Sequence, residues 1–180
     1  MNESLKLLSL DGADVPQSWL AEAERLYLDA FPPEERRPWS TIVAPASQAG
    51  PRLMFVADGG DTFAGFVTLW DFGAFVYIEH FAIDPSIRGR GTGARVLARL
   101  ADKVGRPLVL EAEPVADDNP MAARRIGFYQ RNGFALLGHD YVQPPYQPGL
   151  PPVALRLMST DAAIDAAAVE RTLHSEVYGV

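Results

Sequence analysis

From Val15 to Phe31 the stretch VPQSWLAEAERLYLDAF sets Trp19, Ala23, Leu26, Tyr27 and Ala30 at intervals of three and four, and Pro32-Pro33 closes the run. That spacing predicts an amphipathic helix. Ahead of it, LKLLSL reads as a short strand. Further on, RLMFVADG, TFAGFVTLWDFG and AFVYIEHFAID are rich in β-branched and aromatic residues and are separated by Gly-Gly-Asp and by Gly73, which predicts an antiparallel meander. Val96, Leu97, Leu100 and Val104 restore helical spacing from Thr92 to Val104, where GRP ends the run. PLVLEAEP then reads as a strand, and NPMAARRIGFYQRNGF as a helix with Pro120 near its start and Gly133 just past its end. FALLGHDYV and VALRLMS read as two strands, and Asp161 to Tyr178 as a docked helix packing through Ile164, Leu173 and Val177. The segments PPEERRPWS and APASQAGP are rich in turn residues and charge, and read as surface with one short helical turn; QPPYQPGLPP reads as a proline-stiffened loop. The predicted order is β-α-β-β-β-α-β-α-β-β-α, in a single domain spanning residues 1–180.

Composition narrows the chemistry. The 180 residues are 48% apolar and 22% charged, as expected of an ordinary globular chain. The absence of cysteine excludes disulfides, thiolate metal sites and a cysteine nucleophile. His80, His139 and His174 are too scattered for a metal motif, so no metal is expected. With no basic and apolar leader at the start and no run of 18 apolar residues, a cytoplasmic protein without a membrane partner is expected. The net charge of −7 disfavours nucleic acid, although Arg88, Arg90, Arg95, Arg99 and Arg106 form a local basic patch able to hold a phosphate group. Homodimerisation stays open.

The candidate chemistry centres on IRGRGTGARVL, residues 87–97, where three alternating glycines and two arginines sit between a strand and a helix. Glycines there let successive backbone N–H groups converge on an anion, and the following helix adds its unpaired donors and positive dipole end. A diphosphate fits such a cradle. A Walker loop is excluded because Ala94 and Arg95 stand where lysine and serine or threonine are needed. The dinucleotide fingerprint is nearer, since Gly89-x-Gly91-x-x-Ala94 fits it and Glu111 follows about 20 residues later. Against it, five residues separate Ile83 from Gly89, and the strands before the loop do not alternate with helices.

The segment IEHFAIDPSIRGRGTGARVL resembles the acetyl-CoA binding region of the GCN5-related N-acetyltransferase (GNAT) superfamily, whose Q/R-x-x-G-x-G/A signature is met by Arg88, Gly91 and Gly93. Downstream, Tyr129, Gly133 and Phe134 match the family's second element, a tyrosine, three variable residues, then Gly-Phe. The resemblance spans about residues 53 to 135. It implies an α/β (α+β) fold with a mixed, mostly antiparallel sheet, helices on both faces, and a splayed parallel pair, YIEHFAID and PLVLEAEP, that holds the coenzyme. It implies an N-acetyltransferase moving an acetyl group from acetyl-CoA to a primary amine of a small molecule or peptide. The implied coenzyme-binding residues are Phe81, Ala82, Ile83, Arg88, Gly89, Arg90, Gly91, Thr92, Gly93 and Tyr129, with Tyr129 also the proton donor to the leaving thiolate.

For the base, Glu111 ranks first by resemblance to members that acetylate ribosomal-protein N-termini, then Glu79, with Glu113 and His80 behind. Carboxylates gathered at a partly buried cleft raise one another's pKa into a useful range. By strand alternation His80 should face away from Glu79 and serve as a core histidine. FPPEERRPW and DYVQPPYQPG, with Tyr141 and Tyr146, are the candidate acceptor walls. Two other functions compete: a non-catalytic acyl-CoA sensor and a nicotinamide-dependent oxidoreductase.

Overall fold

Phe55 and Phe66 are buried on one side of a sheet whose other side buries their neighbours Val56 and Val67, and this alternation organises the whole molecule. The structure, a computed structural model, describes residues 5–10, 15–44 and 50–180. The turn-rich expectation for residues 45–49 lies outside the described residues. The strands are β1 (Lys6–Ser9), β2 (Arg52–Ala57), β3 (Phe63–Asp71), β4 (Val76–Ile83), β5 (Leu108–Ala112), β6 (Ala135–Leu136), β7 (Tyr141–Gln143) and β8 (Val153–Ser159). They form a sheet in the order β1-β2-β3-β4-β5-β8-β6, with β7 also paired to β8. Every pairing is antiparallel except β4 with β5.

The helices are α1 (Ser18–Ala30), α2 (Trp39–Ile42), α3 (Thr92–Val104), α4 (Pro120–Arg131) and α5 (Ala166–Thr172). On one face α3 and α4 bury Val96, Leu97, Leu100, Ile126 and Tyr129 against Val76, Ile78, Leu108 and Leu110. On the other, α1 covers Phe55 and Phe66 with Trp19, Ala23, Leu26 and Tyr27, while Val169 of α5 and Leu173 just past its end cover Tyr77, Val109 and Leu157. Both termini of α4 are built as its sequence indicates: the Asn119 side chain accepts from the Ala122 N–H at 3.2 Å, Pro120 opens the helix, and Gly133 leaves it at φ 87°.

Three expectations change. The single strand Phe134–Val142 is two short ones, because the chain leaves the sheet through Gly138, His139 and Asp140 and His139 turns aside to Glu170 at 2.7 Å. Residues 33–42 carry a 3-10 turn at Pro33–Glu35 as well as α2, one turn more than expected, and Ile42 is buried in the core rather than at the surface. The last helix starts only at Ala166, where Asp165 accepts the N–H groups of Ala167 and Ala168 at 3.1 Å, and it ends in a π-helical turn, Leu173–Tyr178. Among the described residues no helix is long and apolar enough to cross a membrane.

Candidate active site

The parallel pair holds together for only three residues, Val76 to Ile78 opposite Leu108 to Leu110. Beyond them the strands part, and backbone groups that a neighbouring strand would otherwise satisfy are left facing the gap. A cleft of about 940 Å³ runs through this opening. Phe81, Ile83, Phe128 and Tyr129 line it on the α3/α4 face, and Glu79, His80, Glu111 and Tyr146 on the α1/α5 face. The splay therefore joins the two sides of the sheet.

At the α3 side the loop is shaped by glycine. Gly89 and Gly91 have φ of 82° and 77°, a left-handed conformation that other residues avoid, and Gly91 caps α3. The first intrahelical bond runs from the Arg95 N–H to the Gly91 carbonyl, so the N–H groups of Thr92, Gly93 and Ala94 have no partner within the helix. A Cβ at Gly91 would meet no protein atom within 4 Å and would project into open space at this helix end. An anion-binding cradle of this kind fits the diphosphate of a coenzyme.

The loop's side chains divide the work. Arg88 donates through Nε to the Ile83 carbonyl at 2.9 Å and fixes the loop to the end of β4. Thr92 donates to Asp58 at 2.7 Å, and Arg95 pairs with the same carboxylate, so the Thr92 side chain is occupied and only its backbone N–H stays without a partner in the helix. Burial pushes the Asp58 pKa up, but the hydrogen bonds from Thr92 and Arg95 outweigh it and hold it below the usual range. Arg90 is exposed and stands off the cleft wall. The expected basic patch is partly dissolved: Arg95 belongs to Asp58, and Arg106 forks onto Asp71 at 2.7 and 2.8 Å, holding that carboxyl at about 2. Arg124, Arg125 and Arg131, which the sequence reading passed over, line the cleft instead.

Tyr129 is buried on α4 between Phe128 and Phe134, with ring centroids at 5.4 and 5.7 Å. Its hydroxyl has no hydrogen-bond partner among the described residues and opens to the cleft, and burial raises its pKa.

Across the sheet stand the carboxylates. Glu111 accepts hydrogen bonds from Tyr141, and from Tyr178 at 3.1 and 3.0 Å on its two oxygens. Burial drives its pKa up to about 7, the hydroxyls of Tyr141, Tyr77 and Tyr178 pull against that rise, and Glu79 adds to it. Glu79 is fully committed: Arg37 Nε donates at 2.7 Å, Trp70 Nε1 at 3.0 Å and the Tyr146 hydroxyl at 3.0 Å. Arg37 lies 5.2 Å from both the Trp70 and Tyr146 ring centroids, and although burial opposes its charge, Glu79 raises its pKa above the ordinary value. Glu113 lies past the end of β5, paired with Arg125 at 2.8 Å.

His80 corrects the alternation argument. A β-bulge breaks the register where Thr68 pairs with His80 but Leu69 pairs with Ile78, leaving Glu79 as the extra residue. Both side chains then lie on the α1/α5 face, 3.8 Å apart. His80 is nonetheless a core histidine as expected, packed edge-on to Tyr27 and Phe31, with Nε2 2.9 Å from the Glu35 carbonyl and a pKa lowered by burial.

Glu35 and Arg37 fall in the segment FPPEERRPW expected to wall the acceptor pocket, but neither is singled out by the sequence, and Tyr178 carries no signal at all. Glu35 lines the cleft, and its pKa is raised to about 7 by burial and then by Glu113. Local pattern does not assign them their individual partners, because Arg37 and Tyr178 meet Glu79 and Glu111 only across 42 and 67 residues of chain.

A sheet opened at the one parallel pair among the described residues, beside a glycine-capped helix end with unpaired N–H groups, is the architecture of a coenzyme-dependent acyl-transferring α/β fold. The chain belongs to the acetyltransferase (GNAT) family, whose model matches residues 19–134. It is 36% identical to a Bacteroides thetaiotaomicron protein assigned by its name to that family, over 97% of this chain and 99% of that one, with a TM-score of 0.83. At 18% identity, the fold alone is shared with the Escherichia coli ribosomal-protein-S18-alanine N-acetyltransferase, over 91% and 97% of the two chains at a TM-score of 0.59. The same holds for spermidine N-acetyltransferase from Vibrio cholerae in complex with CoA and spermine, also 18% identical, over 88% and 95% of the chains at 0.56. The matched stretches make up 33% and 38% of the lengths of two curated relatives, so the chain spans well under half of those proteins.

Proposed function

We propose that this chain moves an acetyl group from acetyl-CoA directly onto a primary amine of a small molecule or peptide. The observation that carries this reading is the two-sided cleft, with the free hydroxyl of Tyr129 on the α3/α4 face and the caged carboxyl of Glu111 on the α1/α5 face. Acetyl-CoA, when bound, supplies the thioester, and the glycine loop with the N–H groups of residues 92–94 would hold its diphosphate. Glu111, near neutrality in pKa, takes a proton from the acceptor ammonium. The free amine then attacks the thioester carbon, the C–N bond forms as the C–S bond breaks, and Tyr129 gives its proton to the departing thiolate. The proton lost by the acceptor passes through Glu111 to solvent, and Tyr129 is reprotonated by the second amine proton.

An acceptor wall of carboxylates and tyrosines favours an amine that arrives as a cation. Solved relatives named for a polyamine and for a ribosomal-protein alanine support both a small-molecule and a peptide acceptor. Calorimetric titration with acetyl-CoA, followed by a thiol-release assay over a panel of polyamines, amino acids and peptide N-termini, tests the proposal. Saturable binding and CoA release with at least one amine are expected. Binding with no release across the panel overturns it.

A further inference from the structure

The last helical turn reaches the same site from a direction the sequence motifs do not touch. Residues 173–178 form a π-helical turn, closed by the Gly179 N–H to the His174 carbonyl at φ 74°. Turns of this kind insert a residue and re-aim the side chains after it. Here two groups of the turn meet the two carboxylates. The Val177 carbonyl accepts from Arg37 Nη2 at 3.2 Å, supporting the cation that holds Glu79. The Tyr178 hydroxyl lies 3.1 and 3.0 Å from the oxygens of Glu111, and 3.4 Å from the hydroxyls of both Tyr77 and Tyr146. Since Tyr146 donates to Glu79 at 3.0 Å and Tyr178 to Glu111, the two hydroxyls stand side by side between the carboxylates, each giving its one proton to its own.

Resting on the reading of Glu111 as the base, we propose that Tyr178 is a positioning residue: the π turn holds its hydroxyl on Glu111, fixing the direction of that carboxyl and the ease with which it gives up its proton. Tyr178 does not touch the acceptor; it acts through Glu111. The groups that face Glu111 are Tyr77 and Glu79 from β4, Tyr141 from β7, Tyr146 from the proline loop and Tyr178, with Arg37 behind Glu79 and Glu170 of α5 behind Tyr141. Of these, Tyr141 and Tyr178 donate to it. A donated hydrogen bond favours the ionised carboxylate, so loss of either donor makes the proton harder to remove.

The test is the pH profile of kcat/KM for wild type, Tyr178→Phe and Tyr141→Phe, measured beside Glu111→Gln and beside CoA affinity. Phenylalanine keeps the packing of the ring and removes only the donor. In Tyr178→Phe the acid limb is expected to move upward by about one pH unit, the size of one hydrogen bond to a charged group. Activity would then fall about tenfold on the acid side of the limb and recover at high pH, with CoA affinity unchanged. Tyr141→Phe should move the limb the same way. A limb that stays in place in Tyr178→Phe overturns the proposal, whether or not it moves in Tyr141→Phe, as does a loss in Tyr178→Phe that is equal at every pH and accompanied by weakened CoA binding, which would mark a packing role. If Glu111→Gln retains full turnover, the reading of the base fails instead, whatever Tyr178→Phe does.

Discussion

Glu79 and His80 are consecutive residues of β4, yet both turn to the same face of the sheet, with His80 Nδ1 3.8 Å from Glu79 Oε2. The bulge that allows this leaves the His80 N–H to bond the Thr68 side chain at 3.0 Å and frees Glu79 to accept from Arg37, Trp70 and Tyr146 at once. With Glu79 fully shielded and Arg37 10% exposed, this is an ion pair removed from water, and losing one partner strands the other. Glu79→Leu should lower stability by about 3–5 kcal/mol, whereas the double change Arg37→Met with Glu79→Leu should recover most of it. Urea denaturation of the single and double variants measures the coupling. A base role for Glu79 predicts something different, namely that Glu79→Gln erases the acid limb of the pH profile. The engagement of all its neighbours predicts that the limb stays.

Glu111 should trade stability for chemistry. Its pKa rises from the ordinary 4.5 to about 7 on folding, so the native state holds the proton more tightly than the unfolded chain. The protonated group favours the fold below about pH 4.5, and this advantage is lost as pH climbs to 7, by up to about 3 kcal/mol. Glu111→Gln, which carries no charge, is expected to be more stable than wild type above pH 7 and to differ less at pH 4.5. Turnover in the same variant should fall about 100- to 10,000-fold. Thermal melts across pH, read beside thiol release, check both halves. A variant that is less stable at pH 8 than at pH 5, relative to wild type, contradicts the linkage.

How much of this was legible in the chain depends on the range of the contacts. Leu97 and Leu100, or Trp19 and Leu26, declare their helices because the period is local, and each is buried where the pattern puts it. The glycine loop is legible for the same reason, since φ preference belongs to the residue. His80 shows where locality stops. Alternation assigns its face only if the strand is regular, and the bulge is set by pairing with β3, twelve residues away in sequence at Thr68. The cage around Glu111 is more remote still: its donors Tyr141 and Tyr178 come from positions 30 and 67 residues further along the chain. Arg37 reaches Glu79 across 42 residues, from a segment whose prolines and charges look like surface.

Tyr129 differs from the other tyrosines in having no protein partner for its hydroxyl among the described residues, while Tyr146 is tied to Glu79 and Tyr178 to Glu111. A donor left free at the cleft is available to the leaving thiolate. Tyr129→Phe should therefore lower kcat about 100-fold or more while leaving the Kd for CoA within about twofold, because one lost contact outside the diphosphate cradle alters little of the binding energy. Single-turnover acetyl transfer separates the chemical step from product release. An unchanged single-turnover rate removes Tyr129 from proton transfer.

Gly91 and Gly93 stand two residues apart but should respond differently to an added side chain. Gly93 lies in the first turn of α3 with an ordinary helical backbone, and its Cβ would come within 3.2 Å of one carbon of the Phe128 ring, a side chain that can shift by a few tenths of an ångström. Gly91 has φ 77° and nothing within 4 Å of its would-be Cβ, so the obstacle to substitution is the backbone itself together with the open space at the helix end. A β-branched residue there must leave the left-handed region, at a cost of about 1–2 kcal/mol or more, or stay and place its methyl groups where the coenzyme's diphosphate would lie. Either route weakens the cradle without touching the core. Gly91→Val is expected to raise the Kd for CoA at least about tenfold, one power of ten for each 1.4 kcal/mol lost, with a far-UV spectrum like that of wild type. Gly93→Ala should cost less than Gly91→Val in the same titration. Wild-type CoA affinity in folded Gly91→Val would mean that the diphosphate is held elsewhere, and the assignment of the α3 loop would fall with it.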